Sequence, residues 1–473
     1  MSGSALPIAS KWIHGLLWVT AFSIPLSVKL YFPGSGLELI FPAEPLIAIV
    51  LLIGIGSLFS TSARLSWDRR FMLHPLSISV AVYLGVSAIA AAFSTMPMVS
   101  AKALMVRTAY IMVFYFAIGS LPFKHGGGAT ALLRNYALAF LPVVIYSFAN
   151  QVEGGLDRAS AGFVSYPFFI DHTIYAAALV FVLFLTAAAA LRALYPPKDV
   201  SKACALGCIA IVLLAVLYLS FCRAAWVSAL FASLLLAAAV LWRYDRWVAV
   251  VGGMLVVLVA FGLHSRLPGA GATDSNAYRS GARASILSLT NVTTDPSNLE
   301  RLNRWSCARR MFLDRPWTGF GPGTYQFNYV GYQLPEEISS LSVTDTAAVN
   351  AVVNSMVGNK KMLLRFSPLA IQSSGGTAHS EYLLTLSESG AFVFVAFLAI
   401  VLFAFRTGMH TTSRSVTRAE RIVPAAIAGA LVAYFVHAGF NNFLDDCKIA
   451  FPFWASLALL ARLDRARPND LLS

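Results

Sequence analysis

Long apolar segments separated by short polar connections dominate the chain. A helix needs about 20 apolar residues to cross the roughly 30 Å hydrocarbon core of a bilayer. Windows of that length occur about twelve times, and we predict transmembrane helices at Trp12–Tyr31, Glu38–Ser60, Met72–Phe93, Ala101–Leu121, Ala129–Asn150, Phe168–Leu194, Ala203–Phe221, Arg223–Trp242, Trp247–His264, Ser380–Phe405, Ile422–Phe443 and Ala450–Leu463. The pattern therefore predicts an all-α polytopic membrane protein.

One long polar stretch, from about Ser265 to Thr377, interrupts this pattern. It divides the chain into three predicted regions. Transmembrane helices one to nine occupy residues 1–264, a large and partly helical loop occupies 265–379, and helices ten to twelve occupy 380–473.

The composition supports a membrane protein. Of the 473 residues, 58% are hydrophobic and only 12% are charged, which is too little charge to cover a soluble surface. The net charge of +13 does not indicate a nucleic-acid partner, because basic residues of membrane proteins collect in cytoplasmic loops. The five cysteines show no metal-ligand spacing, and we expect no metal and no cofactor.

The basic residues also predict the orientation. They concentrate in alternate short connections, at Lys11, Arg64, Arg69, Arg70, Lys124, Arg192, Lys198, Lys202, Arg243, Arg246, Arg406, Arg414, Arg418, Arg421, Arg462, Arg465 and Arg467. The opposite short connections carry little beyond Lys29, Lys102, Arg158 and Lys448. By the positive-inside rule, both termini are cytoplasmic and the large loop faces outward.

Three outward connections are basic against this rule. Arg158 lies in Gly154–Tyr166, and the large loop carries Arg301, Arg304 and other arginines. Most of these side chains have a simple alternative role, since arginines near span ends extend to phospholipid headgroups. Arg223 differs, because the turn Leu219–Trp226 is too short to carry it into water.

Inside the large loop, Ser297-Asn298-Leu299-Glu300 has the spacing of a capping box. It predicts a helix from Asn298 to about Leu313 with Arg301, Arg304 and Trp305 on one face. The following turn, Thr318–Gly323, satisfies local backbone geometry or binds phosphate. The apolar segment Ala347–Ile371 lies on the membrane surface or packs against the helices.

Ionisable residues accompany the stretch Ala378–Phe403, which includes most of the tenth predicted span. His379 at its start is a candidate base, or simply a cap of the helix. Glu388 lies about two turns inside, where a carboxylate needs a partner, either Arg223 or a buried backbone group. It is a structural ion or a catalytic one. His437 and Asn441, at helical spacing, orient a sugar or form a buried polar network.

These residue types suit the transfer of a sugar from a lipid-linked diphosphate. Negative charge builds on the diphosphate as the glycosyl bond breaks, and the arginine fork stays charged and binds phosphate oxygens in pairs. The acceptor hydroxyl loses a proton, and neutral histidine is the usual base. Arg223, Arg301 and His379 supply these groups at the membrane surface.

Four segments resemble the O-antigen ligase and polymerase superfamily of bacterial envelope glycosyltransferases. LYLSFCRAAWVSAL resembles the family's Ser-Arg turn, and RLNRWSCARRMFLDRPWTGFGPGTYQ its Arg…Trp…Pro…GxGxG segment. AHSEYLLTLSESG resembles its His…Tyr-Leu…Glu-x-Gly segment, and DRASAGFVSYPFFIDHTIYAAAL more loosely its Arg-containing loop. Together they follow the family's order over about the last two thirds of the chain.

The resemblance implies a GT-C-like, metal-independent, inverting transferase in the bacterial inner membrane. It acts on undecaprenyl-diphosphate glycans at the periplasmic face, with His379 as base and Arg223 and Arg301 holding the diphosphate. Additional candidates are Arg158, Arg304, Glu388 and His437. Two features depart from the family: the turn has Ser-Phe-Cys-Arg where Ser and Arg are commonly adjacent, and the stretch from Gln326 to His379 is longer than usual.

Several functions share this chemistry. The leading hypothesis is a ligase whose acceptor is lipid A-core, followed by a polymerase that extends a lipid-linked glycan. A protein O-oligosaccharyltransferase comes next. The expected partners are the glycan donor, the acceptor and membrane lipids, with no nucleic acid. A lipid-glycan transporter belongs to a different class, and the absence of an internal repeat argues against it.

Overall fold

The computed structural model describes residues 8–32, 37–59, 68–121, 128–156, 161–242, 296–334, 337, 376–415 and 417–465. This part of the chain is mostly helical, and its strands form one two-stranded sheet. In chain order the elements are α1 (Ile8–Leu26), β1 (Val28–Phe32), β2 (Leu37–Phe41), α2 (Ala43–Leu58), α3 (Arg69–Met72), α4 (Pro75–Ala92), α5 (Pro97–Ile111), a π-helical segment (Met112–Ala117), α6 (Ile118–Ser120), α7 (Gly128–Glu153), α8 (His172–Ala193), α9 (Val200–Leu219), α10 (Arg223–Trp242), α11 (Pro296–Asp314), α12 (Tyr325–Asn328), a 3₁₀ turn (Tyr329–Tyr332), α13 (Glu381–Arg414), α14 (Arg418–His437) and α15 (Cys447–Arg465).

Several helices are long and apolar enough to cross a membrane. Within the described residues there are seven, at Pro75–Ala92, Pro97–Ser120, Thr130–Glu153, His172–Ala193, Val200–Leu219, Glu381–Arg414 and Arg418–His437. The protein is therefore a multi-pass membrane protein. Helices occupy every predicted span position except the ninth, Trp247–His264, which lies outside the described residues, as does the apolar segment Ala347–Ile371. The number of spans beyond these seven stays a prediction.

The first predicted span was wrong at its end. The helix stops at Leu26, and the chain turns into β1, which pairs antiparallel with β2 from Val28–Phe41 to Phe32–Leu37. Apolarity cannot separate a helix end from a strand, because Val, Leu, Tyr and Phe suit both environments. The hairpin returns the chain to Ser27, whose hydroxyl accepts a hydrogen bond from the Ala43 amide at 3.2 Å.

Helix α15 forms the centre of the bundle. Every residue from Cys447 to Ala461 is buried. A helix that is apolar on all sides is stable only when other helices surround it. Aromatic rings make much of this contact: Phe451 packs edge-on against Phe114, and Phe453 lies 4.8 Å from the Tyr434 ring.

The ends of the helices alternate between two ends of the bundle. At one end, Lys448 at the start of α15 donates to the Ser27 carbonyl at 2.7 Å and to the Phe168 carbonyl. There too, the Glu381 amide at the start of α13 donates to the Ala438 carbonyl after α14, at 2.8 Å. We call this the site end.

The opposite end is held by contacts to the last turns of α15. Asp464 accepts from His74 at 3.3 Å and also contacts His410, near the end of α13. Arg462 donates to the carbonyls of Ile118, Gly119 and Leu121, which closes the end of α6. This far end carries arginines and is the end that the positive-inside rule predicts to be cytoplasmic.

The glycine turn Thr318–Gly323 docks into a break in α13. Gly390 has φ 77° and ψ −177°, so the helix is interrupted there. The Ala391 amide donates to the Pro316 carbonyl at 2.8 Å, and the Gly321 amide donates to the Glu388 carbonyl at 2.6 Å. A β-carbon on Gly390 would lie 2.2 Å from the Trp317 carbonyl oxygen. Glycine is therefore needed for both its conformation and its lack of a side chain.

The other side of the turn is held by the connection between α4 and α5. The Phe320 carbonyl accepts hydrogen bonds from the Thr95 amide and the Thr95 hydroxyl, both at 2.9 Å. Ser100 donates its hydroxyl to the Pro322 carbonyl, also at 2.9 Å. The large loop is thus attached to two parts of the helical bundle through one short segment.

We expect Gly390→Ala to lower the stability of the fold by about 2 kcal/mol or more, since it adds positive-φ strain to a direct backbone clash. Thermal unfolding of the purified protein in detergent measures this. Gly85→Ala in α4 is the matched control, because a β-carbon there meets no atom within 4 Å. Equal unfolding temperatures for the two variants would contradict the docking described above.

Candidate active site

Helix α11 carries two of the predicted arginines. It begins at Pro296, so Ser297 lies inside the first turn, and the prediction of Ser297 as N-cap was wrong. Proline is favoured at the first helical position because its fixed φ already suits the helix. Glu300 accepts a hydrogen bond from Arg304 Nε at 2.6 Å, and both side chains are buried. The pair is one turn apart, at the spacing that places two side chains side by side.

Arg304 holds the segment that leads into His379. Its Nη1 donates to the Thr377 carbonyl at 3.0 Å, and its guanidinium lies over the Tyr329 ring, 5.3 Å from the centroid. A β-carbon at Gly376 would lie 1.8 Å from Nη1, so the chain passes directly against this side chain. Arg304 therefore fixes the approach to His379 and places a positive charge near it.

His379 lies just before α13 in the left-handed region, with φ 47°. Ser380 is the N-cap of that helix, so the alternative role of His379 as a cap was wrong. The His379 carbonyl accepts from Trp305 Nε1 at 3.3 Å. Burial, followed by the charges of Arg304 and Arg301, lowers the pKa of His379 to about 4. The imidazole is neutral at pH 7 and can accept a proton.

Arg301 lies within electrostatic range of three separate segments. Its charge acts on His379, on His437 and on Cys222. Cys222 directly precedes Arg223, which is buried at 8% exposure, in a turn where Phe221 has φ 52°. The structure thus brings together the Arg223 turn, Arg301 on α11 and His379 at the start of α13, although they are far apart in sequence.

Glu388 lies inside α13 and binds backbone, not arginine. Its carboxylate accepts from the Gly323 amide at 2.8 Å and from the Tyr325 amide at 2.9 Å. Of the two predicted partners, the backbone is therefore the one observed. The group that the glycine turn binds here is this carboxyl, which gives Glu388 a structural role in holding the turn.

His437 ends α14 as part of a buried polar pair. Its Nε2 lies 3.1 Å from Asn441 Nδ2, and both side chains are almost completely buried. The ring packs edge-on against Phe443. The buried polar contact that the sequence predicted is present, and a role of His437 in orienting a sugar stays a prediction.

Two charged residues near these groups were missed from the sequence. Asp171 caps α8 through Thr173, and its charge acts on His379 and His437. Arg107, buried in α5, lies 3.5 Å from Asp445 and over the Tyr83 ring. Arg107 could have been found from the sequence, because it lies inside a predicted span and ionisable residues in the membrane are usually functional.

The remaining predicted arginine, Arg158, lies outside the described residues. No group of three or more His, Cys, Asp and Glu side chains that could hold a metal occurs in the described ranges.

Comparison with known families adds an independent observation on part of this chain. A family model with the description O-antigen ligase matches residues 208–356. This segment matches the O-antigen ligase family. The match confirms the resemblance over this segment and supports a membrane O-antigen ligase or polymerase type of function. It includes Arg223, Arg301 and Arg304, whereas His379 and Glu388 follow it in the chain. No curated protein matches the chain.

We expect Glu388→Gln to loosen the glycine turn. Glutamine offers one accepting oxygen where two amides now donate, and an unpaired buried N–H costs about 1–3 kcal/mol. Amide hydrogen exchange at Gly323 and Tyr325 should increase, and the unfolding temperature should fall. Glu153→Gln, an exposed carboxylate at the end of α7, is the control. Unchanged exchange at both amides would remove the structural role assigned to Glu388.

Proposed function

We propose that this protein is an inverting membrane glycosyltransferase of the O-antigen ligase type. It would transfer a glycan from undecaprenyl diphosphate to lipid A-core at the periplasmic face of the bacterial inner membrane. The observation that carries the proposal is the cluster of Arg301, Arg304 and His379 beside the turn of Arg223, at one end of a helical membrane bundle. The family match over the two arginine-bearing segments supports it.

The arginines are assigned to the donor. As the bond between C1 of the sugar and the diphosphate oxygen breaks, its electron pair leaves with the diphosphate. Arg223 and Arg301 neutralise this developing charge, and arginine suits the task because its guanidinium stays charged. Arg304 contributes charge from a fixed position, because Glu300 and the Thr377 carbonyl hold it. This assignment makes the reaction independent of a metal.

His379 is assigned as the base. The acceptor hydroxyl oxygen bonds to C1 on the face opposite the departing diphosphate, and its proton passes to the neutral imidazole. Burial, together with the charges of Arg304 and Arg301, keeps this imidazole unprotonated in the free enzyme. A bound diphosphate counters their charge, which raises the basicity of His379 only when the donor is present.

We expect the purified protein in lipid to form one adduct from the lipid-linked glycan and lipid A-core. His379→Ala should lower its rate by about 10²–10⁴-fold, the usual contribution of a general base. His410→Ala is the control, because His410 is an exposed histidine at the far end that contacts Asp464. The readout is the mass of the products.

Each other outcome has a defined meaning. A ladder of products from the donor alone would make the protein a polymerase. Transfer to a serine or threonine of a folded protein would make it a protein O-oligosaccharyltransferase. No product with any acceptor, or full activity in His379→Ala, would overturn the proposal.

The pH dependence tests the base separately. A base is active when neutral, and the pKa of His379 is about 4 against an ordinary 6.5, so kcat/KM should stay level from pH 7 to about 5 and fall below that. Arg304→Gln removes a positive charge, raises this pKa and moves the fall to higher pH. Arg309→Gln, an exposed residue of the same helix, should leave the profile unchanged. A fall centred at 6.5 in all three proteins would exclude this assignment.

A further inference from the structure

Asp171 and His172 form a histidine–carboxylate pair at the start of α8. His172 Nδ1 lies 2.9 Å from Asp171 Oδ1, and this is the only side-chain hydrogen bond of His172 in the described ranges. Asp171 also accepts from the Thr173 amide at 2.8 Å and from the Thr173 hydroxyl at 2.9 Å. An Nδ1–H bonded to a carboxylate fixes the ring and leaves Nε2 as an acceptor.

This pair belongs to the same cluster as the arginines. The charge of Asp171 acts on His379, His437 and Cys222, which are the groups that Arg301 also affects. The side chains of Asp171 and His172 are nevertheless 48% and 31% exposed, so both are open to a ligand. Their backbone is well held, because the His172 amide donates to the Gly162 carbonyl at 3.3 Å.

The cluster therefore has two sides of opposite charge. Arg301 and Arg304 supply the positive side from α11. Partial burial acts to raise the pKa of Asp171, but the hydrogen bonds from His172 and Thr173 outweigh it and hold that pKa well below its usual range. A permanent carboxylate repels a diphosphate and tolerates a neutral hydroxyl, so this side does not suit the donor phosphates.

We propose that His172 binds a hydroxyl group of the acceptor glycan through Nε2, with Asp171 as the residue that positions the ring. This inference rests on the proposed function and assigns the acceptor side of the same site. The hydroxyl donates to Nε2, and no proton is transferred there. The competing explanation is that Asp171 only caps α8 and that His172 does not contact the acceptor.

Steady-state kinetics with the lipid-linked donor and lipid A-core separates these roles. His172→Ala should raise the KM for the acceptor about tenfold, as expected for the loss of one hydrogen bond to the bound acceptor. The KM for the donor should stay within about twofold of the wild-type value, since Arg223 and Arg301 are unchanged. His172→Gln should restore much of the acceptor KM, because its amide oxygen also accepts a hydrogen bond. His410→Ala is the control for loss of a histidine.

A normal acceptor KM in an active, folded His172→Ala protein would overturn the inference and leave the proposed function intact. An equal rise in both KM values, together with a lower unfolding temperature in both variants, would overturn it in favour of the structural role. A wild-type protein without transferase activity would overturn the proposed function, and this assignment would fall with it.

Discussion

The arrangement of the cluster depends on one contact, the docking of the glycine turn into the break of α13. A carboxylate inside a membrane span is costly unless it is paired, and Glu388 meets this need with the amides of Gly323 and Tyr325. The same turn ties the end of α11 to α13, and Tyr325 donates its hydroxyl to the Arg304 carbonyl at 2.8 Å. One buried carboxyl group thus helps to position the helix that carries Arg301 and Arg304.

Arg304 links this docked helix to the segment that leads into His379. Its guanidinium bonds to Glu300 on its own helix and to the Thr377 carbonyl on the approach to α13, so one side chain joins two elements. A buried guanidinium needs such partners, since an unpaired charge would be expensive to desolvate. Arg304 therefore positions the backbone before His379 and acts on the imidazole through its charge. In the proposed reaction Arg301 and Arg223 instead bind the diphosphate.

Much of the helical arrangement could be predicted from the sequence, because the bilayer imposes a length and an apolarity that the chain displays. The β-hairpin after Leu26 could not, since its residues are apolar enough to continue a span. The sequence left two alternatives for the partner of Glu388, Arg223 or a backbone group. Only the fold shows that the partner is the backbone. Arg301 and His379 were candidates, but they are 78 positions apart in the sequence. Their proximity depends on how α11 docks against the start of α13. Asp171 was missed because a helix cap has no visible function until its neighbours are known.

The charges around His379 also bear on when the base becomes active. An imidazole with a pKa of about 4 is a weak base, so in the free protein it would activate water or an acceptor hydroxyl poorly. In the proposed mechanism, the negative charge of the bound diphosphate offsets the positive charge of the arginines. The imidazole therefore becomes more basic when the donor binds. The base is then strongest when the glycosyl bond is in place to be attacked. A separate lid is not needed for this coupling, because it follows from placing the base among the groups that bind the leaving group.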